Sequence, residues 1–140
     1  MSSRGTVVVT GASGYIAKHI VHQLLDAGYH VRGTVRSARR GDDVVTAVAP
    51  LLEDASDLDR RLTFADLDLN SDTGWYEAMA GADMLVHTAS PLPMEQPRDE
   101  TAVIRPAVDG TLRALTAARD AGIGRVVMTS SAVAIMGADL

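Results

Sequence analysis

Two patterns of apolar and polar positions alternate along the chain. Short runs rich in valine and leucine predict buried strands at about 5–10, 29–35, 62–65, 84–88 and 125–129. Between them, apolar side chains recur every three or four positions, which predicts amphipathic helices at about 16–27, 41–54, 72–80 and 98–121. Strands that alternate with helices favour an α/β fold, here a doubly wound parallel sheet truncated after about five strands.

Glycine and proline mark where these elements end. Gly28 follows the first helix, and Gly122 and Gly124 follow the last, where glycine commonly closes a helix. The Ser-Pro-Leu-Pro segment at 90–93 breaks the chain after the fourth strand, and Pro106 falls inside the longest helix, where proline kinks the backbone. Because no repeat, low-complexity stretch or linker interrupts the pattern, residues 1–140 are interpreted as one domain.

Composition narrows the function classes. The chain is 46% hydrophobic, enough for one core, and only 4% aromatic, so that core should consist of aliphatic side chains. The net charge of −5 and the scattered basic residues argue against a nucleic-acid partner. The absence of cysteine excludes disulfides and a thiol nucleophile. Since no signal peptide or membrane-length apolar run is recognisable, we expect a cytoplasmic protein without a membrane partner.

The most informative segment is Thr-Gly-Ala-Ser-Gly-Tyr-Ile-Ala at 10–17. It places Gly11, Gly14 and Ala17 at three-residue intervals between a predicted strand and a predicted helix. Gly11 allows a tight turn, Gly14 lets a phosphate approach the backbone, and Ala17 lets the helix pack on the strand. Unsatisfied N–H groups at the helix start then favour a pyrophosphate. The pattern predicts a Rossmann fold that binds a dinucleotide; the alternative is an ordinary strand–turn–helix without a ligand.

The end of the second strand indicates which dinucleotide is bound. NAD-selective domains usually carry an acid there for the ribose 2′-hydroxyl, but no acid lies between Asp26 and Asp42. Arg36 stands at that position instead, with Arg40 close behind, and a guanidinium can bind a 2′-phosphate and stack on adenine. We therefore predict NADP(H) rather than NAD(H). The alternative is a solvated basic turn at a helix start.

Further motifs follow in a fixed order: Val-Arg-Gly-Thr-Val-Arg-Ser, Ala-Asp-Leu, Val-His-Thr-Ala-Ser-Pro, Pro-Ala-Val-Asp-Gly-Thr and Val-Val-Met-Thr-Ser-Ser-Ala. With the glycine turn, this ordered set resembles the extended short-chain dehydrogenases/reductases of the NAD-dependent epimerase/dehydratase superfamily. Within them it is similar to the group of dihydroflavonol reductases, cinnamoyl-CoA reductases and yeast methylglyoxal/aldehyde reductases. Ala107 stands where sugar epimerases and dehydratases usually carry Asn, which favours carbonyl reduction.

The resemblance implies a set of site residues. The cofactor contacts would be Gly11, Ser13, Gly14, Tyr15, Ile16, Arg36, Arg40, Asp66, Leu67, Thr88, Ala89, Ser90 and Thr129. Asp66 would accept from the adenine amino group, and Ser131 would be the catalytic serine that hydrogen-bonds the substrate carbonyl. Two simpler interpretations stay open, a strand-end turn for Asp66 and a hydroxyl that satisfies backbone groups for Ser131.

The histidines have simpler interpretations. His87 lies within the fourth predicted strand and is interpreted as a packed or hydrogen-bonded residue rather than a base. His19 and His22 share a helix face, but no carboxylate ligands accompany them, so no metal site is predicted.

The family chemistry also needs a Tyr-x-x-x-Lys pair after the serine, in which the tyrosine donates a proton to the carbonyl oxygen. The three tyrosines and the single lysine of this chain do not form that pair. We therefore expect the N-terminal, cofactor-binding portion of a longer NADPH-dependent reductase, without its substrate lobe and inefficient as a catalyst alone. An open sheet edge and the helix at 98–121 would favour a homodimer or other self-association.

Two other functions stay open. A non-catalytic dinucleotide-binding or sensor module would explain the missing pair. A fragment of a sugar-nucleotide epimerase or dehydratase is the third possibility, against which Ala107 and Arg36 both count.

Overall fold

The computed structural model describes residues 4–91 and 98–136, which form a five-stranded parallel sheet with helices on both faces. The strands are β1 (Thr6–Thr10), β2 (His30–Val35), β3 (Leu62–Asp66), β4 (Met84–His87) and β5 (Arg125–Met128). They lie in the order β3-β2-β1-β4-β5, so that β1 is central. Val8 of β1 pairs with Arg32 of β2 and with Leu85 of β4. The five predicted strands are confirmed to within one residue at each end.

The helices are α1 (Tyr15–Asp26), α2 (Ala38–Val48), α3 (Leu58–Arg61), α4 (Trp75–Met79), α5 (Thr101–Asp120) and α6 (Ala132–Met136). The sequence analysis did not predict the short helices α3 and α6. The prediction of one helix over 41–54 is wrong at both ends, because the chain leaves α2 after Val48 for a 3₁₀ turn at Ala49–Leu51. Pro50 lies in that turn, since its missing N–H and its restriction on the preceding residue disfavour a longer helix.

The longest predicted helix is confirmed as α5, which begins three residues later than expected and continues through Pro106. Gly28 and Gly122 close α1 and α5 in the left-handed conformation, with φ of 85° and 74°. Their N–H groups donate to carbonyls within the last helical turn, at 3.0 Å in both cases. The predicted caps at Gly28 and Gly122 are therefore confirmed, whereas Gly124 lies beyond the cap, directly before β5. The predicted break at 90–93 lies partly outside the described residues.

The two faces of the sheet carry separate apolar clusters, as a doubly wound fold requires. Val7 and Val9 of β1 point to the face that α1 and α2 cover. Val8 and Leu85 point to the opposite face, where they pack with residues of α4 and α5. Alternate residues of β1 are thus buried on both sides, which explains its uninterrupted apolar run.

The β5 side of the fold is open. All four residues of β5 are exposed, as are Val133 and Ile135 of α6. α5 also presents apolar side chains to solvent, among them Ile104, Val108 and Leu112. Within the described ranges, no helix is long and apolar enough to cross a membrane.

Candidate functional site

A crevice opens at the carboxyl ends of β1 and β4, the point at which the strand order changes direction. From β1 the chain turns to β2 on one side, whereas β4 lies on the other, so the connections diverge and leave space between them. The crevice has a volume of about 360 Å³. It is lined by Gly11, Ser13, Gly14, Thr34, Val35, Arg36, Leu67, Asp68, Leu69, Asn70, Thr88, Ala89, Ser90 and Pro91.

The glycine turn forms one wall of this crevice. Gly11 adopts a φ of 63°, a conformation that L side chains rarely adopt. A Cβ built on Gly11 would lie 3.0 Å from the Cβ of Ala89, and one built on Gly14 would lie 3.3 Å from the carbonyl oxygen of Gly11. Side chains at these two positions would therefore fill the space through which a phosphate group approaches the backbone.

The hydrogen bonds of the turn determine which donors face the crevice. The N–H of Gly11 donates to Thr34 Oγ1 at 3.1 Å, and that of Gly14 donates to the Gly11 carbonyl at 2.9 Å. The N–H groups of Ser13, Tyr15 and Ile16 have no acceptor among residues 4–91 and 98–136. Gly14 caps α1 without a side-chain hydrogen bond, so these donors stay available at the positive end of the helix. This arrangement suits a pyrophosphate.

The opposite wall follows β4 and is tied to β1 by the hydroxyl of Thr10. Thr10 Oγ1 accepts from the N–H groups of Thr88 and Ala89, at 3.1 and 3.2 Å, and lies 2.7 Å from His87 Nδ1. Thr88 Oγ1 in turn donates to the Thr10 carbonyl at 2.6 Å. His87 is buried, and this burial lowers the pKa of its imidazole. The interpretation of His87 as a packed, hydrogen-bonded residue is therefore confirmed.

Arg36 borders both this crevice and a second, adjoining cavity of about 250 Å³. The second cavity is also lined by Asp66, Leu67, Asp68, Ser71, Thr73 and Gly74. Arg36 is exposed and makes no hydrogen bond or ion pair with any residue that the structure describes. Its guanidinium is thus available to an anion at the boundary of the two cavities.

Eight of the sequence-predicted cofactor residues line the main crevice: Gly11, Ser13, Gly14, Arg36, Leu67, Thr88, Ala89 and Ser90. Asp66 lines the second cavity. Tyr15 and Ile16 have exposed side chains and border neither cavity, although their backbone N–H groups have no acceptor among the described residues.

The other three predicted residues lie elsewhere. Arg40 sits on α2 and forms an ion pair with Asp43 at 3.9 Å. The N–H of Thr129 donates to the His87 carbonyl at 3.1 Å and so ties the end of β5 to β4. Ser131 is exposed at the start of α6 and borders neither cavity. The roles proposed for these residues stay predictions.

Sequence reasoning missed several lining residues. Thr34 lies within β2, one residue before the end of the strand, and its hydroxyl accepts from the N–H of Gly11. A hydroxyl at the end of a strand beside the glycine turn is a signal that sequence reasoning could have used. Asp68, Leu69 and Asn70 belong to the segment after β3, which only the strand order brings beside the glycine turn. No local pattern marks them.

The two helix-face histidines are engaged in other contacts. His22 Nε2 lies 2.9 Å from Asp26 Oδ2 and 3.0 Å from the Leu51 carbonyl, which joins α1 to the 3₁₀ turn. The ring of His19 packs edge-to-face on Tyr15 with a centroid distance of 5.0 Å. Across the part of the chain that the structure describes, no three histidine, aspartate or glutamate side chains come together as a metal site.

A family model described as the NAD dependent epimerase/dehydratase family matches residues 7–139, nearly the whole chain. The chain belongs to this family. The resemblance drawn from the ordered motifs is thereby confirmed, and so is the Rossmann-like fold.

Individual relatives of known name narrow the comparison to reductases within this family. The chain is 40% identical to the dihydroflavonol 4-reductase of Hordeum vulgare over 131 residues, which cover 93% of this chain and 36% of that protein. It is 42% identical to cinnamoyl-CoA reductase 1 of Petunia hybrida over 129 residues, 92% of this chain and 36% of that protein. Among solved structures, yeast methylglyoxal/isovaleraldehyde reductase Gre2 complexed with NADPH matches with a TM-score of 0.73 and 28% identity, over 90% of this chain and 37% of that one. The chain spans little more than a third of the length of the curated relatives it matches.

Proposed function

We propose that residues 1–140 are the N-terminal, NADP(H)-binding portion of a reductase that acts on a carbonyl group of an aldehyde, a ketone or a dihydroflavonol-like compound. The observation that carries this proposal is the crevice between β1 and β4, where Ser13, with an available N–H group, and Arg36 line the same space. Relatives named dihydroflavonol 4-reductase and cinnamoyl-CoA reductase, and an NADPH-bound structural neighbour, support it.

In this proposal, different residues around the crevice bind different parts of the dinucleotide. The N–H groups of Ser13, Tyr15 and Ile16 bind the pyrophosphate. Arg36 binds the 2′-phosphate of the adenosine ribose, since it has no ion-pair partner within the described chain. When bound, NADPH supplies the hydride that reduces the carbonyl carbon.

Three further roles belong to the same proposal. Asp66 and Leu67 hold the adenine in the second cavity. The wall at Thr88–Ser90 lies on the nicotinamide side. Ser131 hydrogen-bonds the substrate carbonyl, an assignment that rests on the resemblance alone. The cytoplasmic location also stays a prediction.

Self-association is part of the proposal. β5 is the last strand of the sheet and, among residues 4–91 and 98–136, pairs only with β4; its Val127 is 55% exposed. Ile104 and Leu112 lie two turns apart on the same side of α5 and are 55% and 56% exposed. Because open edges and apolar patches favour association, we expect a homodimer or a larger assembly of this chain. Sedimentation velocity over a range of concentrations measures it.

The cofactor assignment is tested by calorimetric titration of the chain with NADPH and, separately, with NADH. We expect tighter binding of NADPH. Arg36→Ala should weaken NADPH binding by about tenfold to a hundredfold, the effect of losing a charge-assisted contact of about 1.5–3 kcal/mol. NADH binding should stay nearly unchanged, because NADH has no 2′-phosphate.

Arg60→Ala is the matched control, since Arg60 is exposed on α3 and borders neither cavity. It should alter neither affinity. Equal losses for NADPH and NADH in Arg36→Ala would remove Arg36 from the 2′-phosphate site. Tighter binding of NADH by the unaltered chain would contradict the NADP(H) assignment.

A further inference from the structure

The buried pair formed by Thr10 and His87 has no task in the proposed function, although it adjoins the crevice. Both side chains are almost fully buried, at 0% and 3% exposure. They come from the carboxyl ends of two neighbouring strands, β1 and β4, which pair at this position. A threonine hydroxyl and an imidazole at 2.7 Å form a strong contact that must have a defined proton arrangement.

The hydrogen bonds around Thr10 Oγ1 determine where the proton between Thr10 and His87 lies. A hydroxyl oxygen accepts two hydrogen bonds and donates one. Thr10 Oγ1 accepts from the N–H groups of Thr88 and Ala89, so both of its acceptor positions are used. Its own hydrogen is then donated to His87 Nδ1, which must be unprotonated. The imidazole is therefore neutral and carries its proton on Nε2, a state that its burial also favours.

The two N–H groups in question belong to the wall of the crevice. Thr88 and Ala89 line it, and Ala89 approaches Gly11 so closely that a Cβ on Gly11 would lie 3.2 Å from the Ala89 Cα. If the Thr10 hydroxyl hydrogen turned away from His87, it would point at one of these two N–H groups and displace that hydrogen bond. The wall would then be held against the glycine turn by one hydrogen bond fewer.

We propose that His87 is a positioning residue for the dinucleotide site: its unprotonated Nδ1 orients the Thr10 hydroxyl, which in turn fixes the Thr88–Ala89 wall against Gly11. This inference rests on the proposed function and adds a residue that does not itself touch the ligand. Without an unprotonated Nδ1, the hydroxyl hydrogen has no acceptor and competes with one of the two N–H groups for its position. The Thr88–Ala89 wall is then held less firmly, although the fold keeps its other contacts.

The hydrogen-bonded chain from His87 through Thr10 to the Thr88 and Ala89 N–H groups is called the relay below. Two measurements on the unaltered protein test it without any ligand. Long-range proton–nitrogen NMR correlation reads the tautomer of His87, and we expect Nε2 protonated and Nδ1 unprotonated at neutral pH. Amide exchange should be slow at Thr88 and Ala89. Protonation of Nδ1 at neutral pH, or fast exchange at both amides, overturns the proposal whether or not the chain binds NADPH.

Variants of His87 then test whether the relay affects the affinity for the dinucleotides. His87→Phe keeps a ring but removes the acceptor, whereas His87→Asn keeps a polar atom near the Nδ1 position. We expect His87→Phe to weaken NADPH and NADH binding equally, by about tenfold, the effect of one lost hydrogen bond. His87→Asn should recover most of the affinity and the slow exchange at Thr88 and Ala89.

Thr10 supplies a double-mutant cycle. Thr10→Val removes the hydroxyl and should weaken binding at least as much as His87→Phe, while Thr10→Ser keeps the hydroxyl and serves as the matched control. The double variant Thr10→Val/His87→Phe should bind no more weakly than Thr10→Val alone, because His87 acts through Thr10.

The outcomes separate the two proposals. If the unaltered chain binds neither dinucleotide, the proposed function fails and the role of His87 in it fails too. If the chain binds NADPH and neither His87→Phe nor Thr10→Val changes the affinity, only the role of His87 fails. Fully additive losses in the double variant would also contradict a relay through Thr10.

Discussion

Gly33, in the middle of β2, packs against Ala12 of the glycine turn. A Cβ built on Gly33 would lie 2.7 Å from the Cβ of Ala12 and 3.1 Å from the Cδ1 of Phe64. Methyl groups in van der Waals contact are about 3.5–4.0 Å apart, so the added methyl would be about 1 Å too close to Ala12. Ala12 is fully buried, and the Phe64 ring has little room to move, because its other edge lies against the Gly41 backbone, where a Cβ would be only 3.1 Å from Phe64 Cδ2.

Gly33→Ala should therefore destabilise the chain. Overpacking a well-packed core by a methyl costs about 1–3 kcal/mol, and alanine recovers about 0.5 kcal/mol through the lower entropy of the unfolded chain. We expect a net loss of about 0.5–2.5 kcal/mol in the free energy of unfolding, measured by urea denaturation. Because Ala12 follows Gly11 directly, NADPH binding should weaken by more than the loss of folded protein explains.

The matched control is Gly124→Ala, since nothing lies within 4 Å of a Cβ built there. It should leave the free energy of unfolding unchanged or raise it slightly. The double variant Ala12→Gly/Gly33→Ala removes the closest contact and should be more stable than the sum of the two single changes predicts. A Gly33→Ala chain as stable as the unaltered one would refute the packing argument, and strict additivity would show that Ala12 is not the obstacle.

Two further predictions concern a half-buried arginine and a buried histidine. Arg32→Met should lower the free energy of unfolding by about 1.5–3 kcal/mol, because the guanidinium donates to the carbonyls of Ala78 and Ala80 at 2.9 and 2.8 Å. Urea titration measures this loss, and Arg60→Met is the exposed control, with an expected change below about 0.5 kcal/mol. The pKa of His87 is lowered by burial, so the folded chain takes up a proton at lower pH than the unfolded chain. Its contribution to stability is complete above the usual histidine pKa of about 6.5 and is lost as the pH falls through the folded-state value. His87→Phe should therefore show a smaller loss of stability between about pH 7 and pH 5 than the unaltered chain, and an equal loss would contradict the assignment.

The strands and the glycine turn could be predicted from the sequence because they depend on residues close together in the chain. An apolar run between breakers predicts a buried strand wherever it stands, so all five strands were found. The glycine turn could be predicted because its conformational demands fall on residues within one turn, as the φ of Gly11 illustrates. Gly41, by contrast, begins the predicted helix but lies inside α2 in the structure. Its function is to admit the Phe64 ring, a contact made across 23 positions of the chain that no local pattern indicates.

The role of Arg32 cannot be predicted from the sequence for the same reason. A basic residue in a central strand has no local explanation, and its carbonyl partners lie 46 and 48 positions further along the chain. The Thr10–His87 contact likewise joins residues 77 positions apart. Both depend on which strands become neighbours, and alternation of strands and helices leaves the order of the strands undetermined.

The strand order also bears on the choice between NADP(H) and NAD(H). At the end of β2 the chain carries Arg36 and no acid. The strand order places β3 beside β2, however, and so brings Asp66 and Asp68 into the cavity that Arg36 borders. Arg36 is the single cation in the lining of either cavity, as far as the described residues go, and it faces two carboxylates. Its removal would leave a 2′-phosphate with acidic neighbours alone, so the loss of NADPH affinity in Arg36→Ala should lie at the upper end of the expected range. Arg36→Ala/Asp68→Asn should then recover part of that loss for NADPH and none for NADH.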